Sequence, residues 1–316
     1  MEYGFPSGTD LVKEICGTTG GIEFNDTQPG LLEKGQIIKI MHNMFGESHT
    51  EEFGKALYYS QSYSIDAFLE RRPKFTDIGK FAIALFILRK EISANLSSFN
   101  NREEGCYQYL FDKLDAKWEE LYQNRASFIT FNYDRSLEQF LFTSFHNRHG
   151  KSESECAKVV SNIPIIHVHG SLGKLPWQAA DGIAYSGNME SLAERDERSA
   201  IVNGTATRAS KQIRVIPERQ STSDEFQEAF KLLSKAQRIY FLGFGYNSVN
   251  LQRLHLLDVP SVKESIDTRS EIIPLRGTGW NLEEAEKNFL YDKWGIWILD
   301  TSSKSLQFLR RYAQLD

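Results

Sequence analysis

Phe128-Ile129-Thr130-Phe131-Asn132-Tyr133-Asp134 is the segment from which we infer the fold class. Its first residues favour a β-strand and its last ones are polar. Arg135-Ser136-Leu137-Glu138 and the apolar run Phe140-Leu141-Phe142 then open an amphipathic helix. We therefore place Asn132 and Asp134 at the carboxyl end of a strand, which is the edge of an open α/β sheet where ligands bind.

Two further segments end in the same way. Ile163-Pro164-Ile165-Ile166-His167-Val168-His169-Gly170 ends with a histidine before a glycine, and Ile239-Tyr240-Phe241-Leu242 runs into Gly243-Phe244-Gly245-Tyr246. Strands and helices alternate after residue 125, which predicts an α/β fold with a doubly wound, mostly parallel, Rossmann-like sheet. We predict strands over 126–132, 163–169, 211–216, 238–243, 271–275 and 295–299, and helices over 134–147, 223–236, 248–257, 281–291 and 303–312.

The sequence predicts two domains. Residues 1–30 and 126–316 form the Rossmann-like domain, and 31–125 form a helical insertion that covers the rim of the sheet. Ser7 or Thr9 caps a first helix that runs through Ile15, and Ser64 caps another. Thr76-Asp77 opens a long helix, and the helical pattern of 107–121 predicts one more. Residues 17–30 favour a loop, and 174–210 a loop followed by a solvated helix.

Composition excludes several classes of protein. The chain has 316 residues and a net charge of −5, and it lacks a long basic block, so we expect no direct binding of nucleic acid. Its three cysteines are far apart and none belongs to a Cys-x-x-Cys pair, which argues against a disulfide framework and a zinc ribbon. No signal peptide and no apolar run long enough to span a bilayer occurs, so we predict a cytoplasmic protein without a membrane partner.

Four motifs carry a resemblance to a known family. Thr130-Phe131-Asn132-Tyr133-Asp134 with Leu137-Glu138 resembles the Thr-Gln-Asn-Ile-Asp-x-Leu-Glu segment of sirtuins, the silent information regulator family, and His169-Gly170 resembles their catalytic His-Gly pair. Gly243-Phe244-Gly245-Tyr246 is similar to a glycine turn of the sirtuin-like NAD hydrolases of bacterial antiphage defence. Gly4-Phe5-Pro6-Ser7-Gly8 is similar to the segment after the first dinucleotide turn. The matching pieces, residues 1–16, 126–172 and 237–254, are a minority of the chain.

The resemblance implies that NAD is the substrate and that Asn132 and His169 are catalytic. His169 would take a proton from a ribose hydroxyl or from water, as an imidazole does near neutral pH. Asn132 would orient water and ribose without adding charge. Asp134 would accept hydrogen bonds from the nicotinamide carboxamide. The remaining cofactor-binding residues that we predict are Thr130, Phe131, Tyr133, Pro6, Gly243, Phe244, Gly245, Tyr246 and Arg276.

Each of these residues also has a structural interpretation. Asn132 and Asp134 are residue types that cap helices, and a histidine at the end of a strand is more often structural than catalytic. Gly243 and Gly245 are equally suited to a tight corner without a ligand. His167 and His169 have a spacing that zinc can use, but no third ligand has comparable support, so we expect no metal site.

The missing Cys-x-x-Cys pairs favour NAD hydrolysis over the deacylation that zinc-ribbon sirtuins catalyse. The rival interpretation is a non-catalytic sensor or assembly subunit that binds NAD or ADP-ribose. The resemblance implies a strand and a Gly-Ala-Gly-x-Ser turn before Gly4, which this sequence lacks, and we expect a truncated N-terminus rather than a degenerate domain. It also implies a homo-oligomer that depletes NAD in antiphage defence, with a HerA-like ATPase or an Argonaute-like protein as a possible partner.

Overall fold

The computed structural model describes residues 2–21, 31–98, 105–185, 196–215, 223–268 and 275–315. These residues form a mixed α/β protein that is mostly helical. The helices span Gly8–Thr19, Leu31–Phe45, Glu47–Tyr59, Ile65–Arg71, Thr76–Leu88, Ser93–Ser97, Cys106–Leu114, Ser136–His149, Glu153–Ser161, Asp196–Ser210, Asp224–Lys235, Ser248–Arg253, Pro260–Thr268, Glu284–Trp294 and Ser305–Tyr312. The α/β class is therefore confirmed.

The strands of the described residues are short. β1 (Phe128–Thr130) pairs with β2 (Ile165–His167), and β3 (Ile239–Phe241) pairs in parallel with β4 (Leu275–Gly277). Of the other predicted strands, 211–216 is represented by a single antiparallel bridge between Ile213 and Gly170, and 295–299 by a parallel bridge between Trp297 and Arg276. The predicted strand 271–275 lies outside the described residues except for Leu275, where β4 begins. A doubly wound Rossmann-like sheet stays a prediction.

The chain divides into two compact units. The first contains residues 1–98, 130–161 and 169–220, and the second contains 99–129, 162–168 and 221–316. The first unit thus combines most of the predicted helical insertion with the segments that carry Asn132 and His169. The predicted boundaries at 31 and 125 stay a prediction.

The helix Thr76–Leu88 is the centre of the first unit. Every residue from Phe81 to Leu88 is buried, because this helix is apolar on all sides. The helix Asp196–Ser210 packs along it. That helix buries Val202, Ala206 and Ala209, so the expectation of a solvated helix there was wrong: its small apolar residues recur at helical spacing and form a buried face.

The helix starts were well predicted. Ser7 Oγ accepts the N–H of Asp10 at 3.0 Å while the Asp10 carboxylate accepts the N–H of Ser7, a capping box. That helix continues past Ile15 to Thr19, so the predicted loop begins later, and residues 22–30 lie outside the description. Ser64 Oγ accepts the N–H of Ala67 at 3.2 Å.

One predicted helix is divided. Between residues 107 and 121 the α-helix ends at Leu114, because Asp115 leaves the helical conformation (ψ 136°). A 3₁₀-helix follows over Trp118–Gln123. Trp118 and Leu121 therefore belong to a separate short turn.

The second unit contains the pair β3–β4 and several amphipathic helices. Asp224–Lys235 buries Phe226, Ala229 and Leu233, and Ser305–Tyr312 buries Leu306, Phe308 and Leu309. None of the helices within the described ranges has both the length and the apolar character that crossing a bilayer requires.

Candidate functional site

The segment that follows β1 places one exposed amide among buried residues. Asn132 is exposed, whereas Tyr133, Asp134, Arg135 and Ser136 are all buried. Thr130 Oγ1 accepts the backbone N–H of Asn132 at 3.0 Å. The threonine hydroxyl therefore holds the backbone at the point where the strand ends.

His169 lies beside this segment. It is buried, with 5% of the residue exposed, and its imidazole contacts the rings of Phe131 and Tyr133 at centroid distances of 5.6 and 6.5 Å. The carbonyl oxygen of Tyr133 accepts the N–H of Leu172 at 3.1 Å. Both sequence neighbours of Asn132 thus contact His169, and the two polar strand ends of the first unit lie side by side.

The backbone after His169 admits only glycine at the next position. Gly170 has φ +72°, and a Cβ atom there would overlap the carbonyl oxygen of Gln212. This close approach accompanies the bridge between Gly170 and Ile213, and the carbonyl oxygen of His169 accepts the N–H of Arg214 at 2.8 Å. The His-Gly pair therefore has a structural reason for its glycine.

Asp134 has the capping role that the sequence left open. Its Oδ1 accepts the backbone N–H of Ser136 at 3.1 Å and also the Ser136 hydroxyl. Ser136 is the first residue of the helix Ser136–His149, and Arg135 is its N-cap. One carboxylate oxygen of Asp134 is thus engaged at the start of this helix, while Asn132 lies three residues before the N-cap.

Arg135 is the residue that sequence reasoning missed. It is 1% exposed and pairs with Glu91, which is fully buried. Glu91 Oε1 accepts both Nε and the backbone N–H of Arg135, at 3.0 and 3.1 Å. The guanidinium also donates to the carbonyl oxygens of Ile183 and Ala184, at 2.6 and 3.2 Å. No local pattern signals this pair, because Glu91 and Arg135 are 44 residues apart in sequence.

Buried charge alters the titration of neighbouring groups. Burial raises the pKa of Glu91, and the guanidinium of Arg135 opposes that rise by favouring the carboxylate. Burial also raises the pKa of Tyr185, and the Glu91 and Asp134 carboxylates add to the effect. The region around Arg135 is therefore a buried polar cluster with charges of both signs.

Tyr133 is fixed by its side chain as well as by its backbone. Its hydroxyl donates to Asp66 Oδ1 in the helix Ile65–Arg71. Burial raises the pKa of Tyr133, and the Asp66 carboxylate raises it further. The sequence did not identify Asp66 as a partner of Tyr133.

The glycine turn after β3 is held by Thr278 and by contacts among three aromatic rings. Gly243 has φ +59° and donates its N–H to Thr278 Oγ1 at 2.9 Å, and the Tyr246 hydroxyl donates to the Thr278 carbonyl oxygen at 2.7 Å. Phe244 and Tyr246 contact each other and Phe241 at ring distances of 5.4 to 5.9 Å. Gly245 is exposed. Burial raises the pKa of Tyr246, against a lowering by its hydrogen bond to Thr278.

The other two predicted residues, Arg276 and Pro6, both lie in positions that contribute to the fold. Arg276, in β4, donates to the carbonyl oxygen of Tyr312 at 2.8 Å. Pro6 is half-buried and directly precedes the cap Ser7.

The first unit therefore brings together Thr130, Phe131, Asn132, Tyr133, Asp134 and His169. Gly243, Phe244, Gly245, Tyr246 and Arg276 belong to the second unit. Convergence of all three strand ends on a single cleft stays a prediction. Within the described ranges, no three His, Cys, Asp or Glu side chains are grouped as metal ligands.

Comparison with known proteins identifies no relative of this chain. The chain matches no protein-family model, no curated protein and no solved structure.

Proposed function

We propose that the chain hydrolyses the bond between nicotinamide and ribose in NAD, yielding nicotinamide and ADP-ribose, with Asn132 and His169 as its catalytic residues. The observation that carries the proposal is the contact of His169 with Phe131 and Tyr133, the two neighbours of Asn132. An amide and an imidazole from two strand ends are thereby held in one region, as the resemblance to sirtuin-like NAD hydrolases implies.

The two residue types suit this reaction. Cleavage develops positive charge on the ribose carbon, and water or a ribose hydroxyl must lose a proton as it attacks. Asn132 is exposed and reaches ligands from the surface, where its amide orients water and ribose. His169 is the group that accepts the proton. The biological role that follows from the resemblance is NAD depletion in antiphage defence.

A non-catalytic NAD or ADP-ribose sensor is the second candidate. Two observations favour it: His169 is only 5% exposed, and one oxygen of Asp134 is already bonded to Ser136. A buried imidazole and an engaged carboxylate are typical of residues that stabilise a fold.

The test is nicotinamide release from NAD by the chain and by the variants Asn132→Ala and His169→Ala. Matched controls are Asn147→Ala and His49→Ala, which change the same residue types in helices away from the segment after β1. We expect either site variant to lower turnover by about 10²- to 10⁴-fold, and the controls to retain it.

The other outcomes identify the alternatives. Binding of NAD without turnover by the wild-type chain would favour the sensor. Nicotinamide release that requires an acylated peptide would favour a deacylase. Turnover that survives both site variants would remove Asn132 and His169 from the proposed mechanism.

A further inference from the structure

We propose that the carboxylates of Asp66 and Glu91 position Asn132. This inference rests on the proposed function, because Asn132 needs a fixed place only if it orients the reacting groups. Asp66 and Glu91 contact neighbours of Asn132 and belong to the same compact unit. They are positioning residues that act through Tyr133 and Arg135.

Asp66 holds the residue directly after Asn132. The Tyr133 hydroxyl donates to the Asp66 carboxylate, and the Tyr133 ring is buried against His169. The Tyr133 carbonyl oxygen accepts the N–H of Leu172. One residue is therefore anchored to a helix, to the imidazole and to the loop that follows His169.

Glu91 holds the residue two positions further on. Its carboxylate accepts the side chain and the backbone N–H of Arg135, so both the guanidinium and the main chain of that residue are fixed. The guanidinium of Arg135 also donates hydrogen bonds to the carbonyl oxygens of Ile183 and Ala184. A fully buried ion pair seldom stabilises a fold more than apolar side chains of the same size. The geometry of the Glu91–Arg135 pair is better explained by a role in holding the backbone that follows Asn132 in a fixed position.

Together these contacts leave Asn132 as an exposed side chain on a fixed backbone. Thr130 Oγ1 holds the N–H of Asn132 from the strand side, and Tyr133 and Arg135 hold the chain on the helix side. Reactions that depend on orientation lose about 100-fold in rate when a group is displaced by about 1 Å. Removing either the Asp66–Tyr133 or the Glu91–Arg135 hydrogen bonds is therefore expected to lower kcat more than it weakens substrate binding.

The kinetic test compares Asp66→Ala, Tyr133→Phe and the double variant. Glu91→Gln tests the second anchor, because both carboxylate oxygens of Glu91 accept from the Arg135 guanidinium and an amide NH2 cannot replace the second one. We expect kcat to fall by about 10- to 100-fold with a much smaller change in KM. The double variant should be no worse than either single variant, since each removes the same hydrogen bond. Asp66→Asn keeps an acceptor oxygen and should restore most of the loss.

Leu57→Ala is the control for a purely structural effect. Leu57 is buried in the helix Glu47–Tyr59 of the same unit, so its truncation destabilises the fold without touching the segment after β1. We expect its kcat to stay close to that of the wild type. An equal loss of kcat in Leu57→Ala would overturn the proposal.

Hydrogen exchange at the N–H of Leu172 provides a readout that needs no activity. We expect faster exchange there in Asp66→Ala than in Leu57→Ala, when both are compared at equal global stability. Unchanged exchange would overturn the positioning role. Absence of NAD cleavage by the wild-type chain would instead remove the proposed function, while faster exchange would still support the anchoring of this segment.

Discussion

The turn after β1 and the turn after β3 start from the same sequence pattern and are stabilised in different ways. Each follows a three-residue strand and precedes a helix, and each has a backbone N–H accepted by a threonine hydroxyl, Thr130 for Asn132 and Thr278 for Gly243. Beyond that the turns diverge. The first is anchored by the carboxylates of Asp66 and Glu91, of which Glu91 is fully buried, and the second by three aromatic rings and Thr278.

The difference between the two turns bears on which of them is the better candidate site. A buried ion pair such as Glu91–Arg135 seldom stabilises a protein more than apolar side chains of the same size, so stability alone does not account for it. Aromatic packing, by contrast, stabilises the turn after β3 directly. The turn after β1 is therefore the better candidate for a functional site, and aromatic packing and Thr278 account for the turn after β3.

The largest difference between the turns is expected from removing one buried charge. Arg135→Ala leaves Glu91 buried without its partner and should lower the free energy of unfolding by about 3–5 kcal/mol. Arg276→Ala, near the second turn, removes a bond to a carbonyl oxygen and should cost about 1 kcal/mol. Urea denaturation measures both. Equal losses would contradict the role assigned to the buried pair, and Glu91→Leu combined with Arg135→Met should recover part of the loss.

Two glycines with positive φ provide the next comparison. Gly170→Ala adds a Cβ that overlaps the Gln212 carbonyl oxygen, whereas a Cβ at Gly243 meets open space. We expect a loss of about 3 kcal/mol for Gly170→Ala and of about 1 kcal/mol for Gly243→Ala. Thermal and urea unfolding give these values. A larger loss of unfolding free energy for Gly243→Ala than for Gly170→Ala would contradict this prediction.

The two buried tyrosines make a prediction about pH. The pKa values of Tyr133 and Tyr246 are raised in the folded state, so their contribution to stability is complete below the unfolded pKa of about 10 and is lost as the pH rises above it. The advantage of the wild type over Tyr133→Phe or Tyr246→Phe should therefore shrink by about 1.4 kcal/mol between pH 8 and pH 11. An advantage that is equal at both pH values would contradict the burial of these hydroxyls.

The smallest effect concerns the two threonines. Thr278 is 5% exposed, and Thr130 is half-buried. Thr278→Val should cost about 1 kcal/mol and Thr130→Val about 0.5 kcal/mol, because water replaces the lost acceptor more easily at the half-buried site. Urea denaturation of both variants checks the order.

Local signals were predicted well from the sequence. Ser7 and Ser64 cap helices as expected, and a long helix begins at Thr76 as predicted. These features depend on residues three or four positions apart. Strand lengths were overestimated: the β-prone run 126–132 pairs only over Phe128–Thr130, since pairing depends on a partner strand as well as on propensity.

The candidate site was predicted in part. The nearness of the segments that carry Asn132 and His169 follows from strand ends that meet at one edge of a sheet. Asp66 and Glu91 were missed because their partners are 67 and 44 residues away in sequence. Contacts of that separation leave no periodic pattern that a single sequence reveals.

The start of the helix Ser136–His149 already holds two negative groups of the protein itself. Glu91 accepts the N–H of Arg135, and Asp134 accepts the N–H of Ser136. The amino end of a helix ordinarily attracts phosphate, but a phosphate arriving here would meet two carboxylates that occupy these donors and repel it. A phosphate group is therefore not expected to bind at this helix end, because the protein's own carboxylates already take these two donors.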